Sequence, residues 1–295
     1  MTGILKLQGL FMTSISIDLS KDIDPDIVDC IKAVKNDADD LGIDFFIVGA
    51  AARDLILGQY YGLPTGVKTR DIDFGITVID WEQYEKMKDR LVSAGSFFPD
   101  KKIVHRLIYK NGYPIDIIPF GSVEKSGGLI SWPPEYTIEM NVTGFQDAWE
   151  NTVSVRLAKG LKVRFVSLAG MAVLKLIAWH GRHHEFPTKD AVDMATLLKY
   201  YFQAGNEERL FNAHSDLMET EAFDYEFAGA RLLGRDMADI MSSQTKKTVL
   251  DILTVNTNPD ENDGLIIAII DYLPDKSYER ALKLLQNLRK GILDK

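Results

Sequence analysis

Apolar and polar positions follow different periods in the two halves of this chain. Over residues 15–164, short apolar runs typical of strands alternate with stretches of helical period. From Ser167 onward, only the helical period recurs. The pattern therefore predicts an α+β fold, with a mixed-sheet domain over residues 1–166 followed by an all-helical C-terminal domain over residues 167–295.

Turn and cap signals place several of these elements. Asp24 begins the first helix as its N-cap and Gly42 ends it, and Asp80 begins a later helix. Asn-Gly at 111–112 and Lys-Gly at 159–160 each separate two strand-like runs. Both pairs predict β-hairpins, because such dipeptides accept the left-handed backbone that short hairpin turns need.

Composition and charge fit a globular protein and weigh against bulk electrostatic binding of duplex nucleic acid. The chain has 295 residues, of which 46% are hydrophobic and 26% charged, and this excludes wholesale disorder. Its 34 Lys and Arg against 43 Asp and Glu give a formal charge of −9. Phosphate backbones are bound through clustered cations, so a nucleic-acid contact here needs a local basic groove.

A basic band over residues 151–190 interrupts the acidic chain. It carries seven Lys or Arg residues and two acids. Such a band is typical of a local anion site, and a solvated charged surface accounts for it equally well. Both interpretations stay open on the sequence.

The cysteine count and the apolar runs bear on the compartment. Cys30 is the single cysteine, so no intrachain disulfide can form, as is usual in reducing compartments. The N-terminal apolar run contains Lys6 and Gln8 and lacks the basic leader of a signal peptide. The longest late apolar run, residues 264–273, is too short to cross a bilayer. We expect a cytoplasmic protein with no membrane contact.

Three aspartates form the candidate catalytic centre. Asp71 and Asp73 are two positions apart in a strand-like run, so their side chains share a face, whereas Ile72 points to the other. Asp116 lies inside a second apolar strand. If the two strands are neighbours, the three carboxylates meet at one sheet edge and form an oxygen-rich set that suits Mg²⁺ or Mn²⁺. The alternative is three exposed acids on edge strands.

Such a centre suits phosphoryl transfer. Two cations held about 4 Å apart by carboxylates can clamp the attacking and leaving oxygens of an in-line displacement. One cation would hold the triphosphate of a nucleotide, and the other would lower the pKa of an attacking hydroxyl whose proton Asp116 could accept. Gly49 lies in a turn from an apolar strand into a helix, where its N–H and that of Ala50 can bind phosphate oxygens.

The order of these residues is a family pattern. Ile-Val-Gly-Ala at 47–50 precedes Asp-Ile-Asp at 71–73 and the later Asp116. This resembles the DNA polymerase β-like nucleotidyltransferase superfamily, in which an apolar residue, Gly and Gly or Ser precede Asp-x-Asp and a third Asp. Ala50 departs from the usual Gly or Ser, which removes a hydroxyl contact, and residues 59–68 lengthen the spacer.

Longer segments indicate a narrower group. They are Thr-Arg-Asp-Ile-Asp-Phe at 69–74, Pro-Ile-Asp-Ile-Ile-Pro-Phe-Gly at 114–121, Trp-Pro-Pro-Glu at 132–135, Ser-Leu-Ala-Gly-Met-Ala-Val-Leu-Lys-Leu at 167–176 and Lys-Asp-Ala-Val-Asp at 189–193. These segments resemble the AbiEii-type abortive-infection nucleotidyltransferases, which are toxins of type IV toxin–antitoxin systems. The resemblance spans residues 43–202, and the last ninety or so residues show no motif.

The AbiEii resemblance implies that a Lys on one helix and an Asp on the next complete the site. Carried over to this chain, these are Lys175 with Asp190 or Asp193. Lys175 lies in an apolar run, where an unpaired ammonium is costly, so it needs an anion. That anion is either the triphosphate or, in a purely structural role, one of the two aspartates.

We therefore predict a metal-dependent nucleotidyltransferase that moves a nucleoside monophosphate from a nucleoside triphosphate to a hydroxyl acceptor. The resemblance implies a toxin's role, tRNA or a protein as acceptor, and an antitoxin protein as partner. The alternatives are an enzyme acting on small molecules such as aminoglycosides, and a non-catalytic partner-binding module on the same fold.

The predicted site residues fall into two sets. The catalytic residues are Asp71, Asp73, Asp116 and Lys175, with Mg²⁺ or Mn²⁺ on the three aspartates, and the nucleotide-binding residues are Gly49, Ala50, Lys175, Asp190 and Asp193.

Overall fold

A computed structural model describes residues 16–21, 23–66, 69–219, 223–258 and 260–295. Three of the features used above therefore lie wholly or partly outside the described residues. These are the start of the predicted first domain, the N-terminal apolar run, and the end of the inserted spacer.

The strands all precede residue 166 in the described part of the chain. They are β1 (Ser16–Asp18), β2 (Phe45–Val48), β3 (Ile72–Val78), β4 (Phe97–Pro99), β5 (Arg106–Tyr109), β6 (Pro114–Gly121), β7 (Leu129–Ser131), β8 (Glu139–Asn141), β9 (Val153–Ala158) and β10 (Leu161–Phe165).

The helices occur in both halves and are the sole regular elements described after β10. They are α1 (Pro25–Leu41), α2 (Gly49–Arg53), α3 (Trp81–Ser93), α4 (Phe145–Glu150), α5 (Leu168–Arg182), α6 (Ala191–Tyr200), α7 (Glu207–Asn212), α8 (Tyr225–Ile240), α9 (Ser243–Asn256), α10 (Gly264–Ile270) and α11 (Tyr278–Leu293). A π-helical segment, Asp54–Tyr60, continues α2, and a 3₁₀ turn, Ser215–Met218, follows α7.

The main sheet is mixed and has eight strands in the order β1-β9-β10-β2-β3-β6-β5-β4, and a separate small sheet pairs β7 with β8. β1 is parallel to β9, β10 to β2 and β3 to β6, while the other neighbours are antiparallel. The predicted α+β fold with a mixed sheet followed by helices is confirmed. The division at residue 166 into two domains stays a prediction.

The local signals for helix starts and hairpins are confirmed. The side chain of Asp24 accepts the N–H of Asp26 at the start of α1, and Gly42 ends this helix in the left-handed conformation. Asp80 caps α3 in the same way. The two predicted hairpins are β5–β6 and β9–β10, each an antiparallel pair.

Several predicted boundaries differ from the structure. Strand β3 begins at Ile72, so Asp71 lies one residue before the strand. There its N–H donates to the hydroxyl of Thr69. The helix after Gly49 passes through Gly58, because Gly58 does not adopt the left-handed backbone that ends a helix. The glycine- and proline-rich segment 127–134 is typical of a loop, yet it contains β7, whose pairing with β8 leaves no local signal.

The core explains why the central strands are apolar on both faces. All four residues of β2 are buried, because helices cover the sheet on both sides. Phe46 packs against Phe145 and Trp149 of α4 at ring-centroid distances of 6.1 and 5.8 Å. Gly75 of the neighbouring strand leaves room for the Phe46 ring, since a Cβ there would lie 2.4 Å from it. Within the described ranges, none of the helices is long and apolar enough to cross a membrane.

We predict that Gly291→Ala lowers the thermal midpoint of unfolding by several degrees. Helices α8 and α11 touch through their backbones, and a Cβ on Gly291 would lie 1.9 Å from the carbonyl oxygen of Arg231. Overpacking of this kind costs about 1–3 kcal/mol. The matched control is Gly181→Ala in α5, where no atom lies within 4 Å, and this change should be neutral or stabilising. Equal midpoints for the two variants in a thermal melt would contradict the prediction.

Candidate active site

The three predicted aspartates converge at one edge of the main sheet. β3 and β6 are parallel neighbours, and their register pairs Asp73 directly with Asp116. Asp71 lies two residues before Asp73, at the start of β3. The alternative of three separate acids on edge strands is therefore wrong, since β3 and β6 are both interior strands of the sheet.

Arg106 joins two of these carboxylates. It lies on β5, where the register places it opposite Asp116. Its Nε and Nη2 donate to Oδ1 and Oδ2 of Asp116 at 2.7 and 2.8 Å, and its Nη2 lies 3.3 Å from Oδ2 of Asp71. This bidentate geometry is the strongest form of an Arg–carboxylate pair. The pairing raises the pKa of Arg106 further above its ordinary value.

Crowding of the carboxylates is seen most clearly in the pKa of Asp73. Burial of its side chain, with added repulsion from Asp116 and Asp71, raises its pKa to about 7. Lys175 and Lys189 offset this only in part. A half-buried carboxylate beside two others needs a nearby cation to stay ionised at neutral pH.

The other two members of the cluster differ from Asp73. Burial acts to raise the pKa of Asp71, but a hydrogen bond from Thr69 and the charges of Arg106 and Lys189 outweigh it and lower that pKa. His105 lies beside Asp116, with 3.9 Å between Nε2 and Oδ2. Asp71 is thus held as a carboxylate, while Asp73 next to it is poised between its two protonation states.

The ring of His105 stacks on Trp132, with 5.2 Å between ring centroids. Burial lowers the pKa of His105, although the charge of Asp116 acts in the opposite sense. Trp132 belongs to the Trp-Pro-Pro segment and is 2% exposed. This segment therefore packs against the site through an aromatic contact.

Gly49 is fixed in place by contact with Asp73. It links β2 to α2 at a φ of 71°, and a Cβ there would lie 1.9 Å from Oδ2 of Asp73. Only glycine satisfies both demands, because other residues rarely adopt this backbone and would collide with the carboxylate. The predicted glycine turn thus lies directly against the aspartate pair, with Ala50 next in α2.

Lys175 lies between the two predicted aspartates of the following helix. Its Nζ is 3.2 Å from Oδ1 of Asp190 and closer still to Oδ2 of Asp193. Burial alone would lower the pKa of Lys175, but Asp193 and Asp190 outweigh it and raise that pKa. Asp73 also contributes, which places the ammonium near the sheet-edge cluster.

Asp190 and Asp193 are themselves buried and paired with further cations. Arg182 donates from Nε and Nη2 to the two oxygens of Asp190, each at 2.7 Å. Arg53 of α2 pairs with Asp193 and, at 2.7 Å, with Asp54. Asp193 thus links α2, beside the glycine turn, to α6. Lys175 thus contacts both aspartates, as its structural role requires. Binding of the nucleotide by these residues stays a prediction.

Four residues near this cluster were not predicted from the sequence, namely Arg106, His105, Arg182 and Lys189. Arg106 is the first residue of β5 and His105 directly precedes it, so both reach the site only through the pairing of β5 with β6. Arg182 and Lys189 belong to the basic band, which was the available signal. A band of like charge shows where cations lie along the chain, but it does not show which acids they meet.

A cavity of about 920 Å³ opens beside the aspartate pair. Its polar lining includes Asp24, Asp54, Thr69, Arg70 and Asp71. Asp54 is already paired with Arg53, and Asp24 accepts the hydroxyl of Tyr113 at 3.0 Å. The polar part of the lining therefore consists mainly of carboxylates and hydroxyls, and apolar side chains such as Ile27, Leu55 and Leu63 form the rest.

A comparison with models of protein families matches residues 67–262 to the nucleotidyl transferase AbiEii toxins of the type IV toxin–antitoxin system. The match covers about two thirds of the chain and includes Asp71, Asp73, Asp116 and Lys175. The chain belongs to this family. It is accordingly a nucleotidyltransferase of the AbiEii toxin family, and its family implies a nucleotide substrate and an antitoxin partner.

The comparisons with solved structures and curated proteins give more distant results. The solution structure of the antibiotic-resistance factor ANT(2″)-Ia is 15% identical, covers 67% of this chain and 97% of its own, and has a TM-score of 0.36. Its crystal structure with adenylyl-2″-tobramycin is 15% identical, with coverages of 70% and 95% and a TM-score of 0.36. A tRNA-processing enzyme is 12% identical, with coverages of 90% and 75% and a TM-score of 0.24. A search of curated proteins found no match.

The three carboxylates of the aspartate cluster are chemically suited to bind a divalent cation. Three carboxylates supply the oxygen ligands that Mg²⁺ and Mn²⁺ prefer, and the pKa of about 7 for Asp73 shows a need for positive charge. As the side chains stand, no group of three or more His, Cys, Asp or Glu in the described ranges is arranged to hold a metal ion. Arg106 donates to both oxygens of Asp116, and each oxygen keeps a further lone pair that can bind a cation.

We predict that Asp73→Asn stabilises this AbiEii protein at pH 8 in EDTA but not at pH 4. The folded pKa of about 7 exceeds the ordinary value of about 3.9, so the folded state holds the proton more tightly. Stability therefore falls as pH rises between these values, and the loss is complete above pH 7. The measurement is the difference in thermal midpoint between variant and wild type across this range.

The control for this titration is Asp271→Asn, whose side chain is 76% exposed and should give little difference at either pH. A midpoint difference for Asp73→Asn that is the same at pH 4 and pH 8 would show that its carboxylate titrates normally.

We predict that Gly49→Ala abolishes the stabilisation of the protein by Mg²⁺ with a nucleoside triphosphate. The new methyl group displaces Asp73, and misplacement of a reacting group by about 1 Å costs on the order of 100-fold in rate. Gly42→Ala is the matched control, because its φ of 64° imposes the same backbone strain with no atom within 4 Å. An unchanged ligand-dependent midpoint shift in Gly49→Ala would refute a role for this contact.

Proposed function

We propose that this AbiEii-family protein transfers a nucleoside monophosphate from a nucleoside triphosphate to a hydroxyl acceptor in a metal-dependent reaction that releases pyrophosphate. The observation that carries the proposal is the meeting of Asp71, Asp73 and Asp116 at one sheet edge against the Gly49 turn. Carboxylates beside a strand-to-helix turn unite the two needs of this chemistry, which are a cation site and a phosphate site.

We assign the metal-binding role to Asp71, Asp73 and Asp116. When bound, Mg²⁺ or Mn²⁺ supplies charge neutralisation at the triphosphate and acidifies the attacking hydroxyl. Asp116 accepts the proton of that hydroxyl, since it is the carboxylate that lies one strand away from the pair. Arg106 orients Asp116 through its two hydrogen bonds.

We propose that the N–H groups of Gly49 and Ala50, together with Lys175, bind the triphosphate. The ammonium of Lys175 is buried, raised in pKa and close to Asp73, so it is charged where an anion would meet the metal site. Asp190 and Asp193 complete the nucleotide site by fixing the position of this ammonium. In this arrangement the sheet region 1–166 supplies the carboxylates and the helical region 167–295 supplies the lysine.

The proposed acceptor is a hydroxyl of tRNA or of a protein, as expected for a toxin of this family. A lysine close to the aspartates favours an acceptor that carries a phosphate. Lys189 is exposed and lies near enough to influence both Asp71 and Asp73. Its charge would attract a phosphodiester close to the reacting hydroxyl.

A second candidate is a small hydroxylated or cationic acceptor such as an aminoglycoside. The observation in its favour is the cavity of about 920 Å³ beside Asp71, because Asp24, Asp54 and Asp71 line it and Arg70 is the one cation described in its lining. A polyamine or polyol is better matched to such a lining than a phosphate is. The two acceptor classes are separable in one assay.

The test is transfer of label from each α-³²P nucleoside triphosphate, with Mg²⁺, to total tRNA, to an aminoglycoside panel or to protein. We expect label in one acceptor pool together with pyrophosphate release. Asp73→Asn should lower the rate by about 100-fold or more, because it removes a carboxylate that positions the reacting groups. Asp271→Asn, at an exposed position, should leave the rate unchanged.

The outcome also decides whether the protein is a catalyst or a binding module. Isothermal titration of each nucleoside triphosphate with Mg²⁺ should show binding that Asp71→Asn and Asp73→Asn weaken. Absence of both labelled product and metal-dependent binding would favour the non-catalytic partner-binding module.

A further inference from the structure

A second cavity lies away from the aspartate cluster, next to the turn of the β9–β10 hairpin. Its volume is about 580 Å³. We call it the hairpin cavity, and its lining residues are Ser20, Lys35, Arg156, Lys159, Gly160 and Lys162. Four of these six residues are cations, in a chain whose formal charge is −9.

The hairpin cavity and the aspartate cluster lie at opposite ends of the sheet. Phe165 at the end of β10 pairs with Ile47, which pairs in turn with Phe74, one position from Asp73. Lys162 is therefore four residues below the level of Asp73, or about 13 Å along the strands, and two strand spacings, or about 10 Å, to the side. The two sites are distinct.

The cations of the hairpin cavity are incompletely neutralised by the protein. Lys35 is 2.8 Å from Asp39, and Arg156 is 3.1 Å from Asp18. The ion pairs found among the described residues do not include Lys159 or Lys162, and both side chains are exposed to solvent. Two lysines thus add a net positive charge to the two neutralised pairs.

The sheet register brings two of these cations face to face. β9 and β10 are antiparallel, and Lys162 is the direct cross-strand partner of Arg156. Like charges at directly opposed positions destabilise a strand pair, and such a pair is relieved by a bound anion. The cavity beside this pair gives an anion a place to bind, with Arg156 and the lysines as its side-chain donors, because the Ser20 hydroxyl already donates to Oδ1 of Asp18 at 2.7 Å.

We propose that the hairpin cavity is a binding site for phosphate groups, separate from the nucleotide site. Arg156 offers the planar fork that matches a phosphate, and Lys159 and Lys162 offer point charges around it. The phosphate can belong to a nucleic-acid backbone or to a free phosphorylated compound, since both present the same oxygens. The proposal does not depend on the transfer reaction, because none of the lining residues belongs to the aspartate cluster.

The test is equilibrium binding without divalent cations at low salt, using the full chain and three probes. The probes are inorganic phosphate and ATP, followed by calorimetry, and a fluorescein-labelled RNA 20-mer, followed by anisotropy. We expect at least one probe to bind, and Lys159→Gln/Lys162→Gln to weaken that binding at least tenfold. For the RNA, the slope of log affinity against log salt should fall by about 1 to 2.

The control variant is Lys86→Gln/Lys276→Gln, which makes the same charge change at side chains that are 63% and 67% exposed and lie outside the cavity. It should bind every probe within twofold of wild type, and Asp73→Asn should do so for inorganic phosphate and the RNA, so loss of transfer and loss of this site are told apart. Binding of RNA alone identifies a nucleic-acid backbone as the source, and binding of phosphate or ATP identifies a small ligand.

Two results overturn the proposal. One is that no probe binds to the wild-type protein, and the other is that the cavity variant and the control variant weaken binding equally. Because Lys159 and Lys162 are exposed, both double variants should fold, and their thermal midpoints will verify this.

Discussion

The half-buried carboxylate of Asp73 stands beside two others, and the structure around the site is organised by that concentration of negative charge. The cost is visible in the pKa of Asp73, which burial and its two neighbours raise to about 7. Cations from three parts of the chain lie near this charge. They are Arg106 of β5, Lys175 of α5 and Lys189 of the segment before α6. Each of these cations depends on a different long-range contact.

Ion pairs also connect the sheet to the helices that follow it. Asp193 of α6 meets both Lys175 of α5 and Arg53 of α2, and α2 begins at the glycine that touches Asp73. Buried pairs of this kind contribute less to stability than to a unique arrangement, because any other packing would leave a charge unpaired. Lys175 and the glycine turn are therefore positioned by one network.

The basic band divides in the folded protein. Lys175, Arg182 and Lys189 gather near the aspartates, whereas three other cations of the band line the hairpin cavity at the other end of the sheet. Arg164 lies over the ring of Trp149, at 4.3 Å from its centroid. A single stretch of like charge thus supplies cations to two separate places in the fold.

Much of this protein could be predicted from the sequence because the signals are local. The alternation of apolar residues placed β3 and β6, Asp24 and Asp80 placed helix starts, and the Asp-x-Asp pair with Asp116 indicated the carboxylate cluster. Spacing within a strand fixes the face on which a side chain lies, so two of the three acids were paired by the backbone period alone.

Tertiary structure decided which distant groups meet those acids. Arg106 reaches Asp116 through strand pairing, β7 finds β8 across a loop, and Lys175 is held by two aspartates on another helix. A carboxylate is neutralised by the cations that lie within a few ångströms of it in the folded protein. The order of residues along the chain does not show which cations these are. The chain by itself therefore determined the elements and the acids, and only the packing of strands and helices determined the cations that surround them.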